Sequence, residues 1–429
     1  MTRGPVVRSL PEVQTCVSVA AACLPGLHAT KLTATAIDRE PFLHPGVRSV
    51  RSVTVGKAAH EMASAIVAAS GTRFRGGICV SKSVGTPIPG VTQLVGDHPF
   101  PRSNSLTAGI QLRSFLTSGA YDQRDVIVFG ISGGASALAV LPLPPVTLED
   151  LTEVTRILVL SGVDVTTVNM VRRSVSAIHN GGLLSYSLGA RCCSYILCDN
   201  VQVGPAGVGS GMTYPSVTDA DAVVEIMQKA EIPSRLTANF VAAMELRRSR
   251  FAGHAECRNT MVGDPGLAVR LCAEEAARRG FRTDIIGSAL QGSTQDVAAL
   301  FARRLDLATR DGGPPPRVVL GGGEATVNVR GGGRGGRCQE LAWRVARQIS
   351  GSRSTCFVAL ATDGQDFVAE AMGAWVTGGS FGLLSDLGYS WERVLADNNT
   401  YEPLARMGQI IEAALTGTNV CDIYALFRW

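Results

Sequence analysis

Asp125–Ser136 reads DVIVFGISGGAS. An unalternating run of β-branched and apolar residues describes a strand buried on both faces, as parallel sheets require. The run breaks at Ser132-Gly133-Gly134 and continues into Ala135-Ser136-Ala137-Leu138, so the glycines mark a tight turn opening into a helix. Three other stretches share this design. Ser49–Val55 leads into Gly56-Lys57 and the amphipathic Ala58–Ala69. Arg317–Leu320 leads into Gly321-Gly322-Gly323-Glu324, a second β-like run Thr326–Arg330, then Gly331–Gly336 and a helix. Cys356–Ala361 leads into Thr362-Asp363-Gly364. Strand and helix signals alternate almost throughout, which predicts an α/β fold with largely parallel sheets. In such sheets ligands bind beyond the carboxyl ends of the strands, where these loops sit.

The chain has 429 residues, too many for one ordinary domain and right for two or three. With 45% hydrophobic and 18% charged residues it has the composition of a globular protein and not of a disordered one. No apolar run approaches the roughly 18 residues of a membrane span. Met1–Leu10 has no apolar core of the secretory kind. The sequence therefore reads as soluble and cytoplasmic, with no membrane partner. A net charge of +4 without a basic tail gives no support to a nucleic-acid partner.

Only Lys31, Lys57, Lys82 and Lys229 are lysines, the rest of the 40 basic residues being arginine. Drift toward GC-rich codons accounts for this, yet each lysine left deserves inspection as a compact point charge that arginine cannot copy. The 11 cysteines are scattered and odd in number, which argues against a disulfide framework. Without CxxC or HExxH spacing a zinc site is not expected. Linker signals lie in Gly204–Thr218 and in Asp311–Pro316 (DGGPPP). A cut near residue 245 gives a 1–245 N-terminal domain and a 246–429 C-terminal domain.

The densest signal is Gly321–Glu340, GGGEATVNVRGGGRGGRCQE. Consecutive backbone N–H groups before a helix N-terminus make an anion cradle, and Arg330, Arg334 and Arg337 would add bidentate recognition. Leu341, Val345 and Ile349 recur at helical spacing after it. A flexible surface loop is the plain alternative. An RGG-type RNA box is disfavoured, because this stretch is wedged between a strand and a helix. Ser132–Ser136 reads either as a phosphate-binding turn or as a tight packing turn, and it lacks the GxSxG of a nucleophile elbow. Gly56-Lys57 is no Walker A loop. Asp199 and Asp363 each end a strand-like run, where a carboxylate can hold Mg²⁺ or accept a hydroxyl proton, or simply cap a solvated turn. Glu324, Asp366, Asp397 and Asp422 are further acidic candidates.

In this order these pieces resemble the type II glycerate kinases, also called the MOFRL family and often named hydroxypyruvate reductases. The resemblance runs from about Gly56 to Ile423. It includes Val55-Gly56-Lys57-Ala58-Ala59, His98-Pro99, Ile131-Ser132-Gly133-Gly134, and Ser161-Gly162 through Asn169, Val171 and Arg172. It continues through Gly323-Glu324-Ala325-Thr326-Val327, Gly335-Gly336-Arg337 with Gln339-Glu340-Leu341, Thr362-Asp363-Gly364, and Thr416-Gly417-Thr418-Asn419-Val420 with Asp422.

The resemblance implies an ATP- and Mg²⁺-dependent kinase for the 2-hydroxyl of D-glycerate. It also implies two α/β lobes, each a largely parallel sheet flanked by helices, with the site in the interlobe cleft. On that footing Lys57 and Arg337 would face the transferring phosphoryl group or the substrate carboxylate, with Arg172 and Asn169 also on the substrate. Asp199 and Glu324 would hold Mg²⁺. Asp363 would accept the hydroxyl proton or ligate the metal. Ser132, Gly133, Gly134, Ser136, Glu324, Gly335, Gly336 and Asn419 would line the nucleotide. The partners expected are a hydroxy acid and a nucleotide, and a homodimer is compatible with this reading.

The sequence also departs from the family pattern. His-Leu-Ser and Lys-Gly-Gly become Ser174-Val175-Ser176 and His179-Asn180-Gly181-Gly182. Ser-Gly-Pro-Thr becomes Ser210-Gly211-Met212-Thr213. Arg-Asn-Gln becomes Arg337-Cys338-Gln339, and Phe367 follows Asp366. Losing a lysine and gaining apolar bulk points to an acceptor larger than glycerate. D-Glycerate itself is the alternative, and a non-catalytic nucleotide- or acid-binding homologue is another. No GxGxxG follows a strand with an acidic residue about twenty further on, which argues against a reductase.

Overall fold

The structure, a computed structural model, describes residues 11–199, 204–251, 253–310, 316–414 and 416–429. Its chain forms two compact units, residues 29–199 with 204–263, and residues 11–28 with 264–429. Among the described residues no helix is long and apolar enough to cross a membrane.

The first unit carries β1 (Ser49–Val55), β2 (Phe74–Ser81), β3 (Val91–Val95), β4 (Asp125–Ile131), β5 (Arg191–Leu197) and β6 (Cys257–Gly263). They form one six-stranded sheet in the order β3-β2-β1-β4-β5-β6. Every pairing is parallel, as the unalternating strands predict. All of β4 is buried. Val53, Phe129 and Ile131 of the sheet share a core with Leu112 and Leu116 of the helix Ser103–Thr117 and with Phe240 of the helix Ser234–Arg250. The chain builds β1, β2 and β3 outward in one direction, then returns β4 to the other side of β1. That reversal puts a crevice at the carboxyl ends of β1 and β4.

The second unit holds β7 (Arg282–Leu290), β8 (Arg317–Gly323), β9 (Thr355–Ala361), β10 (Ala371–Thr377), β11 (Ile410–Glu412) and β12 (Asp422–Arg428), in the order β11-β10-β9-β12-β8-β7. Here the largely parallel expectation needs correction. Only β7 and β8 run parallel, and every other pairing is antiparallel. A parallel return needs a crossover of about a dozen residues or more, and the segment 362–370 is too short to provide one. Thr362-Asp363-Gly364 therefore turns into β10 and not into a helix.

Thr326–Arg330 forms no strand and contributes one bridge, Thr326 to Ser293. The helix after the glycines is present as Arg337–Gln348, with Leu341, Val345 and Ile349 all buried. Residue 245 lies inside the helix Ser234–Arg250, whose Ala243, Met244 and Arg247 are buried, so the chain changes unit at Asp264 instead. Residues 311–315 of the DGGPPP signal lie outside the described residues.

Candidate functional site

In the first unit the carboxyl ends of β1 and β4 are laced together. Ser132 N donates to Val55 O (3.0 Å), and Lys57 N to Gly133 O (2.9 Å). Ala58 N donates to the buried Ser132 hydroxyl (3.1 Å). Ser132 thus has its oxygen engaged at the start of the helix Ala59–Ser70. A side chain at Gly56 would overlap Ser132, so only glycine lets the two loops approach. Gly134 has φ +83°, and a Cβ there would lie 3.2 Å from the His98 ring and 3.3 Å from Lys57 Cγ. His98, Lys57 and the Gly133-Gly134 turn are therefore gathered in one place.

Arg172, on the helix Val165–Ser174, donates from Nη1 to Asn169 Oδ1 (3.1 Å) and from Nη2 to Ser136 O (3.0 Å). Burial lowers its pKa. Arg172 thus joins the expected Asn169 and Ser136. Asp199 lies just past the carboxyl end of β5, at the same edge of the sheet as Lys57.

The divergent segment folds around Arg247, which donates to the carbonyls of Ser176, His179 (3.0 Å) and Asn180 (2.6 Å). Asn180 donates from Nδ2 to Ser216 O (3.0 Å) and Thr218 Oγ1 (3.1 Å). Its Oδ1 accepts from Ser216 N (2.8 Å) and Oγ (2.7 Å). A lysine here would present a cation; Asn180 instead ties down the 216–218 loop.

In the second unit β8 and β9 end where β12 begins, with Asp422 opposite both Gly323 and Ala361. Arg337, the first residue of its helix, donates from Nε and Nη2 to the two oxygens of Asp422 (2.6 and 2.7 Å). Its Nη2 also lies 3.9 Å from Glu324 Oε1. Burial pulls the Arg337 pKa down, but Asp422 outweighs burial and holds it well above the ordinary value. Tyr424 OH donates to Asp422 Oδ2 (3.0 Å) and accepts from Ala325 N (3.0 Å).

The carboxylate of Asp366 accepts from Cys338 N (3.1 Å), Gln339 N (2.9 Å) and Gln339 Nε2 (3.0 Å). Burial pushes the Asp366 pKa up to about 6, against the pull of Arg337. Asp363 accepts from Gln365 N (3.2 Å) in the turn after β9. Thr362 Oγ1 donates to Cys421 O (2.6 Å) and accepts from Val420 N (3.1 Å), which fastens this turn to the loop of the buried Asn419.

The glycine-rich cradle needs correcting on two counts. The helix N-terminus is already filled by the protein's own anion, Asp366. The loop before it spends its amides internally. Arg330 N and Gly331 N donate to Asn398 Oδ1 (2.7 and 3.0 Å), Gly332 N to Asp397 Oδ1 (3.2 Å), Gly333 N to Asp397 O (2.8 Å) and Arg334 N to Asn399 Oδ1 (3.2 Å). Gly331 and Gly333 serve close packing against residues 397–399. The sequence reading held Asp422 and Asp366 only as acidic candidates and missed Tyr424. The signal for Asp422 was a carboxylate opening an otherwise apolar strand.

Among the described residues no three His, Cys, Asp or Glu side chains gather as a metal cage. Mg²⁺ commonly takes one or two carboxylates and completes its shell with phosphate oxygens and water. The single carboxylates Asp199 and Glu324 fit that habit.

Residues 15–245 match a domain of unknown function (DUF4147), and residues 317–422 match the MOFRL family. A glycerate 2-kinase from Pyrococcus horikoshii is 31% identical over 381 residues, 86% of this chain and 85% of that protein. A D-glycerate 2-kinase from Thermotoga maritima is 27% identical over 379 residues, 86% of this chain and 88% of its own. The crystal structure of a glycerate kinase from Thermotoga maritima superposes with a TM-score of 0.85 at 23% identity, over 97% of this chain and 99% of that one.

Proposed function

The chain belongs to the glycerate 2-kinase family, with a DUF4147 region followed by a MOFRL region, and from that premise we propose an ATP-dependent kinase for a hydroxy acid bulkier than glycerate. It is a phosphotransferase with an alcohol group as acceptor.

The observation that carries the reading is the gathering of Lys57, His98 and the Gly133-Gly134 turn at the switch point of the first sheet. Phosphoryl transfer asks a protein chiefly for positioning and charge neutralisation. Lys57 is the compact cation at the head of a helix, suited to a phosphoryl oxygen. Arg337 is oriented by Asp422, so its planar group is fixed before substrate arrives. Arg172 and Asn169 hold the acceptor. Asp363, on the turn after β9, takes the proton from the attacking hydroxyl. Asp199 in the first unit and Glu324 in the second are the carboxylates offered to Mg²⁺, which would neutralise charge on the donor.

The altered acceptor rests on two residues. Asn180 spends its whole side chain on residues 216–218. Phe367 stands 85% exposed at φ +60° in the turn between β9 and β10. One position gives up a cation and the other offers apolar surface. A second reading, D-glycerate as the acceptor, is favoured by relatives that bear that name.

The deciding experiment incubates the protein with Mg-ATP and a panel of hydroxy acids, both glycerate enantiomers included, and follows ADP release and the new phosphorus resonance. Signal with a larger acid and silence with glycerate supports the altered acceptor. Ordinary turnover of D-glycerate removes it. Silence throughout, with nucleotide still bound, removes the kinase reading.

A further inference from the structure

In the first unit Ser136, Arg172, Arg173, Ser176, His179 and Ser210 line a recess of about 10 Å³. That is room for one atom of water or carboxylate-oxygen size. Its hydrogen-bond polarity follows from the backbone. Ser176 Oγ accepts from Ile178 N (3.3 Å) and from His179 N (3.2 Å), which uses both lone pairs of the hydroxyl. Its proton must therefore go to His179 Nδ1, 2.8 Å away. With Nδ1 as acceptor, the neutral ring carries its hydrogen on Nε2. Burial, with Arg172 and Arg247 nearby, pulls His179 down to about 3, so the ring is neutral at ordinary pH.

That Nε2–H is buried and has no partner, and the Arg172 Nε–H is in the same position. The other donors of Arg172 go to neutral oxygens, Asn169 Oδ1 and Ser136 O, and those of Arg247 go to main-chain carbonyls. Among the described residues, then, the hydrogen bonds of these enclosed cations reach no carboxylate. An unmet buried donor costs on the order of 1–3 kcal/mol, and an uncompensated buried charge costs more. Water would answer the donors and leave its own hydrogens to be placed. An anion answers both the donors and the charge.

We propose that this recess is a small-anion site, taking one negatively charged atom, either a carboxylate oxygen or a halide ion, on Arg172 Nε and His179 Nε2. The carboxylate source rests on the kinase reading above, and the halide source is independent of it.

Crystals soaked in sodium bromide and measured at the bromine absorption edge test the site without any assay of turnover. The expected result is one bromide within hydrogen-bond distance of both nitrogens, with a saturable rise in melting temperature of several degrees that Arg172→Met abolishes. A hydroxy acid that displaces the bromide identifies the acceptor's carboxylate as the occupant. Bromide that persists beside the acid identifies a free halide. Either outcome upholds the anion site and leaves the kinase question to the turnover panel. Water alone at the two nitrogens overturns the proposal even if the Arg172→Met protein fails to fold, as does an equal thermal gain in that variant.

Discussion

At the scale of single residues, the Arg337–Asp422 pair is the most consequential contact in the second unit. Asp422 is fully enclosed, and Arg337 is three-quarters so. Removing one partner strands the other, and for buried pairs that loss is about 3–5 kcal/mol. Asp422→Asn is therefore expected to lower unfolding stability by about that amount in chemical denaturation. The double variant Arg337→Met/Asp422→Leu should regain most of it and still lack turnover. A double variant no more stable than the single would show that the cost lies in shape and not in charge.

Asp366 makes a different prediction. Its carboxyl is raised from 3.8 to about 6, chiefly by burial, so the folded protein binds its proton more tightly than the unfolded chain does. The stability tied to that proton is fully present below about 4 and is lost as pH rises to about 6, a change on the order of 3 kcal/mol. Asp125 and Asp150 are shifted the opposite way, so the wild-type curve alone mixes signs. The informative quantity is the difference between wild type and Asp366→Asn. Between pH 6.5 and 4 the wild type should gain on the variant, and parallel denaturation midpoints across that range would refute the assignment.

At the scale of elements, the glycine-rich loop shows what sequence can and cannot reveal. Its glycines were legible as a dense signal, read as an anion cradle or a loose loop, but their packing role was not. A Cβ at Gly331 or Gly333 would overlap the backbone of Asp397, whereas one at Gly332 would meet nothing within 4 Å. Gly331→Ala and Gly333→Ala are expected to cost about 1–3 kcal/mol each and Gly332→Ala under about 0.5 kcal/mol, read as melting temperatures by calorimetry. Equal effects at the three positions would favour a loose loop.

The helix Arg337–Gln348 and the parallel strands of the first unit were legible because local periodicity decides them. The second sheet was not, since β9 and its turn look like the strand-loop pieces of the first unit until β10 pairs back. Nor could spacing tell that Asp422 serves Arg337, because the two are 85 residues apart and only the β12 register brings them together.

At the scale of the molecule, the two units draw on the sequence unequally. The first is nearly continuous over residues 29–263, with its own parallel sheet and core. The second is completed from the far end of the chain. Residues 11–28 belong to it, and Val13, Cys16, Val19, Ala20, Cys23 and Leu27 are buried. The helix Pro11–Ala21 packs on β9 and β12 and on the helix Pro265–Arg278, where Cys272 Sγ donates to Ala20 O. Without that segment the second unit would expose an apolar face of its sheet, at roughly 25 cal/mol for each Å² uncovered.

A fragment of residues 29–263 is therefore expected to unfold in one cooperative transition followed by circular dichroism. A fragment of residues 264–429 should show none until a peptide of residues 11–28 is added, and the gain should saturate with peptide concentration. A 264–429 fragment that melts cooperatively by itself, at a temperature the peptide does not change, would show that the N-terminal helix decorates this core and does not complete it.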